Sequence, residues 1–90
     1  MKRYHLVVSG KVQGVFYRDF ARLQAEKLHL TGWVKNLSNG TVEILAEGSE
    51  SDLKKYVLAC KRGPLVAFVK AVDIKESDAT GEFSEFDIHY

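Results

Sequence analysis

Residues 4–18 read YHLVVSGKVQGVFYR, and this stretch decides how the fold begins. Between Tyr4 and Ser9 the apolar residues Tyr4, Leu6 and Val8 occupy alternate positions and would share one face, so the pattern predicts a half-buried strand. Two glycines interrupt the alternation between Gly10 and Gly14. From there the apolar spacing becomes helical, which predicts a helix from about Tyr17 to His29. The chain therefore starts as a strand, a glycine-containing turn and a helix.

The remaining pattern predicts four more strands and a second helix. An Asn-Gly pair at 39–40 accepts positive φ at low cost and is typical of a hairpin turn. Ser49 and Asp52 resemble a capping box at the start of the second helix, and Gly63-Pro64 is typical of its end. The segment Lys75–Glu82 is polar and is predicted to be a loop. The predicted strands are 33–36, 41–47, 67–74 and 86–90.

The order of elements is β-α-β-β-α-β with a short C-terminal strand. This order predicts an α+β, ferredoxin-like split β-α-β fold, with an antiparallel sheet and two helices on one face. The length of 90 residues indicates a single domain over 1–90. In this topology the first and second strands run parallel with the third between them. Their C-terminal ends therefore lie on one edge of the sheet, where a ligand can meet both.

Composition narrows the range of partners and compartments. The net charge is +1, so no strong field recruits nucleic acid or a membrane. No apolar run approaches the roughly 20 residues that cross a bilayer. Cys60 is the only cysteine, which favours a reducing compartment over a disulfide framework. We expect a cytoplasmic monomer that binds neither nucleic acid nor membrane.

The segment Gly10–Arg18 has the composition of an anion site. The start of a helix offers unpaired N–H groups and the positive end of the helix dipole, and glycines allow close approach. Arg18 adds a forked, permanently charged donor in the first helical turn. The segment is not a Walker A loop, and a plain turn with a solvated arginine remains the alternative. Asn36 ends the second strand, where turn chemistry would equally explain an asparagine.

Two longer runs resemble the signatures of a known family. Residues 8–18, VSGKVQGVFYR, and residues 32–42, GWVKNLSNGTV, resemble the two signatures of the acylphosphatases. The sequence departs from that family pattern at Tyr17, where phenylalanine is usual, at Ala21, where threonine is common, and at His89, where arginine is frequent.

The resemblance implies an acyl-phosphate hydrolase and assigns roles within it. It implies that backbone amides hold the phosphoryl group of a small acyl phosphate, that the Arg18 guanidinium binds its oxygens, and that the Asn36 amide positions the attacking water. It implies no cofactor and no metal, and the three histidines are scattered at unrelated positions. The residues of the implied phosphate cradle are Gln13, Gly14, Val15, Phe16, Tyr17 and Arg18.

Three other interpretations fit parts of the sequence. Ferredoxin-like domains also bind RNA through sheet aromatics, but this chain lacks an aromatic-rich RNP1-like run. Acylphosphatase-like domains also occur within larger proteins that use carbamoyl phosphate, and the length of this chain favours a free-standing enzyme. A regulatory domain that binds a small molecule without turnover is the third.

Overall fold

A computed structural model describes residues 1–90 as a five-stranded sheet covered on one face by two helices. The spatial order of the strands is β4-β1-β3-β2-β5. The ferredoxin-like α+β fold predicted from the sequence is confirmed. The elements are β1 (Lys2–Lys11), α1 (Tyr17–Lys27), β2 (Thr31–Asn36), β3 (Val42–Gly48), α2 (Glu50–Arg62), β4 (Phe68–Asp78) and β5 (Phe86–His89).

The sheet is antiparallel except at one edge. β3 pairs antiparallel with both β1 and β2, so β1 and β2 run parallel on either side of it, as predicted. β4 is antiparallel to β1 at the other edge, with a bulge near Ser9 and Gly10. β5 runs parallel to β2 over Gly32–Lys35. The C-terminal ends of β1, β2 and β5 therefore lie at the same end of the sheet, where the strands terminate.

The core lies between the sheet and the helices. Alternate residues of β1 point into it, and Tyr4, Leu6 and Val8 are all buried. The apolar stripe of α2 is also buried, and it consists of Leu53, Tyr56, Val57 and Cys60. Burial raises the pKa of the Cys60 thiol to about 12. Neither helix is long and apolar enough to cross a membrane.

The predicted end of α1 was wrong by two residues. The helix ends at Lys27, and His29 takes a left-handed conformation with φ of 56°. The amide of Leu30 donates to Ala25 O at 2.9 Å and that of His29 to Glu26 O at 3.1 Å. This is the hydrogen-bond pattern of a Schellman motif, with histidine where glycine is usual. At the start of α2, by contrast, Ser49 Oγ accepts from the Asp52 amide at 3.1 Å, as the predicted cap requires.

The loop predicted over Lys75–Glu82 begins later than expected. β4 continues to Asp78, because Lys2 at the start of β1 pairs with Asp78 in the antiparallel ladder. Backbone pairing extends an edge strand whatever the polarity of its side chains, so the polar sequence was a poor guide here. The residues that follow are held by Glu47, whose buried carboxylate accepts from the amides of Thr80 and Gly81 at 3.0 and 3.1 Å.

Gly32 of β2 lies very close to the backbone of β3, and its substitution tests this contact. Its φ is +138°, and a Cβ there would overlap the carbonyl oxygen of Leu45 in β3. We expect Gly32→Ala to lower the free energy of unfolding by about 3 kcal/mol or more, since backbone overlap adds to conformational strain. Urea unfolding measures this loss.

Gly81→Ala is the matched control. Gly81 has a φ of +74°, but no atom lies within 4 Å of the point that a Cβ would occupy. This variant has the conformational cost alone, about 1–2 kcal/mol. Equal losses in the two variants would contradict the close β2–β3 contact.

Candidate active site

The turn between β1 and α1 leaves several backbone amides free. Val12 and Val15 are buried and fix the turn against the core. Gly14 and Phe16 both have left-handed backbones, with φ of 72° and 65°. No oxygen of the chain accepts a hydrogen bond from the amides of residues 13–16. Such N–H groups next to a helix start can bind an anion.

Phe16 is the N-cap of α1 and has no side-chain oxygen to cap the helix. Serine, threonine, aspartate and asparagine are preferred at this position, because their oxygens accept from the first helical amides. A bulky residue in the left-handed region costs on the order of 1–3 kcal/mol, and such strain concentrates at functional sites. The left-handed Phe16 was not predicted, since phenylalanine gives no sequence signal for positive φ.

Arg18 extends from the first turn of α1 toward the C-terminus of the chain. Its Nη1 donates to the carbonyl oxygen of His89 at 3.3 Å, and its Cζ lies 4.8 Å from the centre of the Tyr90 ring. The chain provides Arg18 with no ion pair. The guanidinium is therefore contacted by uncharged groups, and the chain offers it no carboxylate partner.

Asn36 ends β2, opposite Val42 of β3. Its Oδ1 is buried and has no hydrogen-bond partner in the chain. An unsatisfied buried acceptor costs roughly 1–3 kcal/mol, so a donor from outside the chain would stabilise it. A water molecule or a ligand N–H or O–H group has the required chemistry.

These features share one cleft of about 240 Å³. Five of the residues predicted from the sequence line it, namely Gly14, Phe16, Tyr17, Arg18 and Asn36. The cleft also includes residues for which no role was predicted, and these are Val12, Asp19, Ile88 and Tyr90. Ile88 and Tyr90 reach it because β5 runs parallel to β2 and ends at the same edge. The parallel direction of a four-residue strand has no signature in the sequence.

The side chains of Gln13 and Val15 do not line the cleft. Gln13 turns toward the β2–β3 hairpin, where its Nε2 donates to the carbonyl oxygens of Leu37 and Thr41 at 2.7 and 2.8 Å. Val15 packs in the core. Only the backbone groups of these two residues are available for the predicted cradle, and the Gln13 side chain joins the turn to the hairpin that follows Asn36.

Tyr17 connects the start of α1 to the end of α2. Its ring is buried, and its hydroxyl donates to Cys60 O at 2.6 Å. Burial raises the pKa of this hydroxyl far above its ordinary value, so Tyr17 stays neutral. The hydroxyl that distinguishes Tyr17 from phenylalanine thus has a partner, and it fixes the residue between Phe16 and Arg18.

The histidines lie outside the cleft. His5 contacts Glu43 Oε2 at 2.7 Å on the open face of the sheet, and His89 stacks on Trp33 with ring centres 5.4 Å apart. No group of three or more His, Cys, Asp or Glu side chains has the arrangement of a metal site.

The sequence and the fold both match one family. A family model described as Acylphosphatase matches residues 4–88. The acylphosphatase of Methylococcus capsulatus is 49% identical over 96% of this chain and 94% of its own length. The crystal structure of acylphosphatase from Bacillus subtilis has a TM-score of 0.97 at 42% identity, covering 100% of both chains. The structure of an acylphosphatase from Coxiella burnetii has a TM-score of 0.91 at 42% identity, covering 97% of this chain and 90% of that one.

The fold and the cleft thus define a ferredoxin-like domain with free backbone amides and an unpaired arginine at one sheet edge. The chain belongs to the acylphosphatase family. The resemblance found in the sequence is confirmed, and so is its implication that the chain is an enzyme of this class.

The hydrogen bonds of Gln13 provide a test of how the turn is held. We expect Gln13→Ala to lower the free energy of unfolding by about 1–3 kcal/mol, since two net hydrogen bonds are lost. We also expect inorganic phosphate to bind several-fold more weakly, because the amides next to residue 13 lose their fixed orientation. Urea unfolding and calorimetric titration with phosphate measure the two effects.

Gln24→Ala on α1 is the matched control, since the Gln24 side chain makes no hydrogen bond within the chain. It should leave phosphate binding unchanged. If Gln13→Ala lowers the free energy of unfolding but leaves phosphate affinity at the wild-type value, this side chain stabilises the hairpin and does not position the amides of the turn.

Proposed function

We propose that the chain hydrolyses the carboxyl–phosphate bond of small acyl phosphates to a carboxylate and inorganic phosphate. One observation supports this most directly. Gly14, Phe16, Arg18 and Asn36 line one cleft, where the amides of residues 13–16 have no acceptor in the chain, Arg18 has no ion pair and Asn36 Oδ1 has no donor. This set combines donors for an anion with an acceptor for water, as direct hydrolysis of a phosphoryl group requires.

The phosphoryl group is held by the backbone from Gln13 to Arg18 and by the Arg18 side chain. Phosphoryl transfer depends on positioning and on stabilising the charge of the equatorial oxygens, rather than on covalent chemistry by the protein. Amide N–H groups with no partner in the chain supply donors that need little rearrangement. The Arg18 fork matches two phosphate oxygens.

Water attacks phosphorus on the side opposite the leaving group. The Asn36 Oδ1 accepts a hydrogen bond from this water and orients its lone pair toward phosphorus. The new P–O bond forms as the bond from phosphorus to the acyl oxygen breaks, and the electron pair leaves with the carboxylate. The proton of the water passes to a phosphate oxygen or to solvent, and no redox step occurs.

The leaving carboxylate is weakly basic, so the reaction requires no strong general acid and, we propose, no metal or cofactor. Asp19 is the only acidic side chain that lines the cleft. The buried thiol of Cys60 suits a reducing compartment, and we propose a cytoplasmic enzyme that acts as a monomer on a small-molecule substrate.

Arg18→Ala tests the binding of the phosphoryl group. Each charge-assisted hydrogen bond is worth roughly 1.5–3 kcal/mol, so losing two should lower kcat/KM for acetyl phosphate about a thousandfold. The assay contains a chelator, which also tests whether the wild-type enzyme needs a metal. Arg62→Ala, at the exposed end of α2, is the matched control and should retain wild-type kcat/KM. A fully active Arg18→Ala enzyme would refute the role, and a wild-type protein that binds phosphate without turnover would favour the regulatory alternative.

Asn36→Ala tests the positioning of water. We expect kcat to fall about a hundredfold while the affinity for inorganic phosphate stays within about twofold, since the side chain acts on water rather than on the anion. Asn39→Ala, in the adjoining turn, is the control, because Asn39 caps the amide of Thr41 and does not line the cleft. Wild-type turnover in Asn36→Ala would exclude this role.

A further inference from the structure

β4 forms the longer of the two open edges of the sheet. It has 11 residues and pairs only with β1, whereas β5, at the opposite edge, has four residues. An edge strand presents free backbone N–H and C=O groups that can pair with another strand. The bulge beside Ser9 and Gly10 lies toward one end of β4, so the register from Ala71 to Asp78 is regular. This stretch is long enough to form a second ladder.

An apolar groove lies next to this edge, on the face of the sheet that α2 covers. Ile74 pairs with the buried Leu6, so its side chain points to the same face, yet it is 40% exposed. Leu58 of α2 also borders the groove and is 68% exposed. The groove has a volume of about 420 Å³ and is lined by Tyr4, Lys54, Val57, Leu58, Ile74 and Glu76. The helix thus leaves apolar surface uncovered beside the open edge.

The charges of β4 are complementary to those of a second copy of the same strand. Asp73 and Lys75 flank Ile74 and are exposed, and neither has an ion-pair partner in the chain. In an antiparallel pair with a two-fold axis at Ile74, Asp73 of each strand lies opposite Lys75 of the other. Moving the axis by one residue in either direction places two Asp73 or two Lys75 side chains opposite each other. Like charges in such cross-strand pairs are unfavourable and opposite charges are favourable, so the charges favour the axis at Ile74.

We propose that two copies of this chain associate through β4, antiparallel and with a two-fold axis at Ile74, which joins their five-stranded sheets into one continuous sheet. The axis is perpendicular to the sheet, so the two grooves meet on one face and the two Ile74 side chains are neighbours. Backbone pairing and the burial of Ile74 and Leu58 favour association, and the two Asp73–Lys75 pairs determine the register. Both copies use the same surface, so the assembly closes at two chains.

The association is weak and leaves the candidate active site intact. Residues 71–77 of each strand and a short apolar row form an interface at the small end of the range for specific complexes, so half of the chains should be paired at a concentration on the order of 10–100 µM. At the nanomolar concentrations of an activity assay the protein is a single chain, in agreement with the proposed function. No residue of β4 or α2 lines the active-site cleft, so each copy of the pair keeps a complete cleft.

Two measurements on the wild-type protein test the pairing. In sedimentation experiments from well below to well above the expected concentration, the weight-average mass should rise from that of one chain to that of two and then stop. At the upper concentration, hydrogen exchange should slow for amides within residues 71–77 but not for those of β5. A mass that stays at one chain throughout, growth beyond two chains, or protection of β5 in place of β4 would each overturn the inference.

Asp73→Lys and Lys75→Glu test the register. Each variant places like charges opposite each other at both positions of its own pair, so its self-association should weaken at least about tenfold. In a mixed pair of the two variants, Lys at position 73 faces Glu at position 75, and the native Lys75 faces the native Asp73. An equimolar mixture should therefore associate within about threefold of the wild-type affinity, since both opposite-charge pairs are restored.

Lys55→Glu is the matched control for Lys75→Glu. Lys55 is exposed on α2, has no ion pair and does not line the groove, so this variant changes the net charge equally and should associate like the wild type. Urea unfolding reports whether each variant is folded. Wild-type association of both β4 variants, a mixture no tighter than either variant alone, or an equal loss in Lys55→Glu would overturn the charge pairing. None of these readouts involves hydrolysis, so they decide the pairing independently of the proposed function.

Discussion

The position of β3 between β1 and β2 is the constraint on which the rest of the molecule depends. β3 pairs with β1 over Lys2–Val8 and with β2 over Thr31–Asn36, antiparallel in both cases. This double pairing makes β1 and β2 parallel and brings their C-terminal ends to one edge, two strands apart. The helices then have to cross one face to connect the strands, and they bury the same set of alternate residues. The cleft is a consequence of that connectivity.

The turn before α1 is held from three directions. Gln13 connects it to the hairpin, the Tyr17 hydroxyl connects it to the end of α2, and Val15 packs in the core. These contacts determine the conformation between them, so the left-handed Phe16 persists in spite of its cost. The resulting amides have no partner in the chain. A turn built in this way presents backbone donors without burying a charged side chain, which would be expensive in a domain with so small a core.

Most of the fold could be predicted because alternation and helical spacing record which residues are buried. Leu6 and Val8 show the strand, and Leu53 and Cys60 show the face of α2. Features that depend on backbone geometry alone could not be predicted, and the left-handed His29 is one of them. At the site, the position of Arg18 in the first helical turn predicted an anion-binding role, whereas the role predicted for Asn36 came from the resemblance to the acylphosphatase signatures. The sequence could not indicate Tyr90, since that residue reaches the cleft only through the parallel pairing of β5.

Two features of the cleft lower the stability of the fold. The left-handed Phe16 costs on the order of 1–3 kcal/mol, and the unsatisfied Asn36 Oδ1 costs roughly 1–3 kcal/mol. Small domains have a total stability of about 5–15 kcal/mol, so these costs are a substantial fraction of it. Packing and hydrogen bonds elsewhere in the fold offset both costs, so the conformation of the turn is fixed by folding itself. A ligand that bound to this turn would therefore not bear the cost of ordering it.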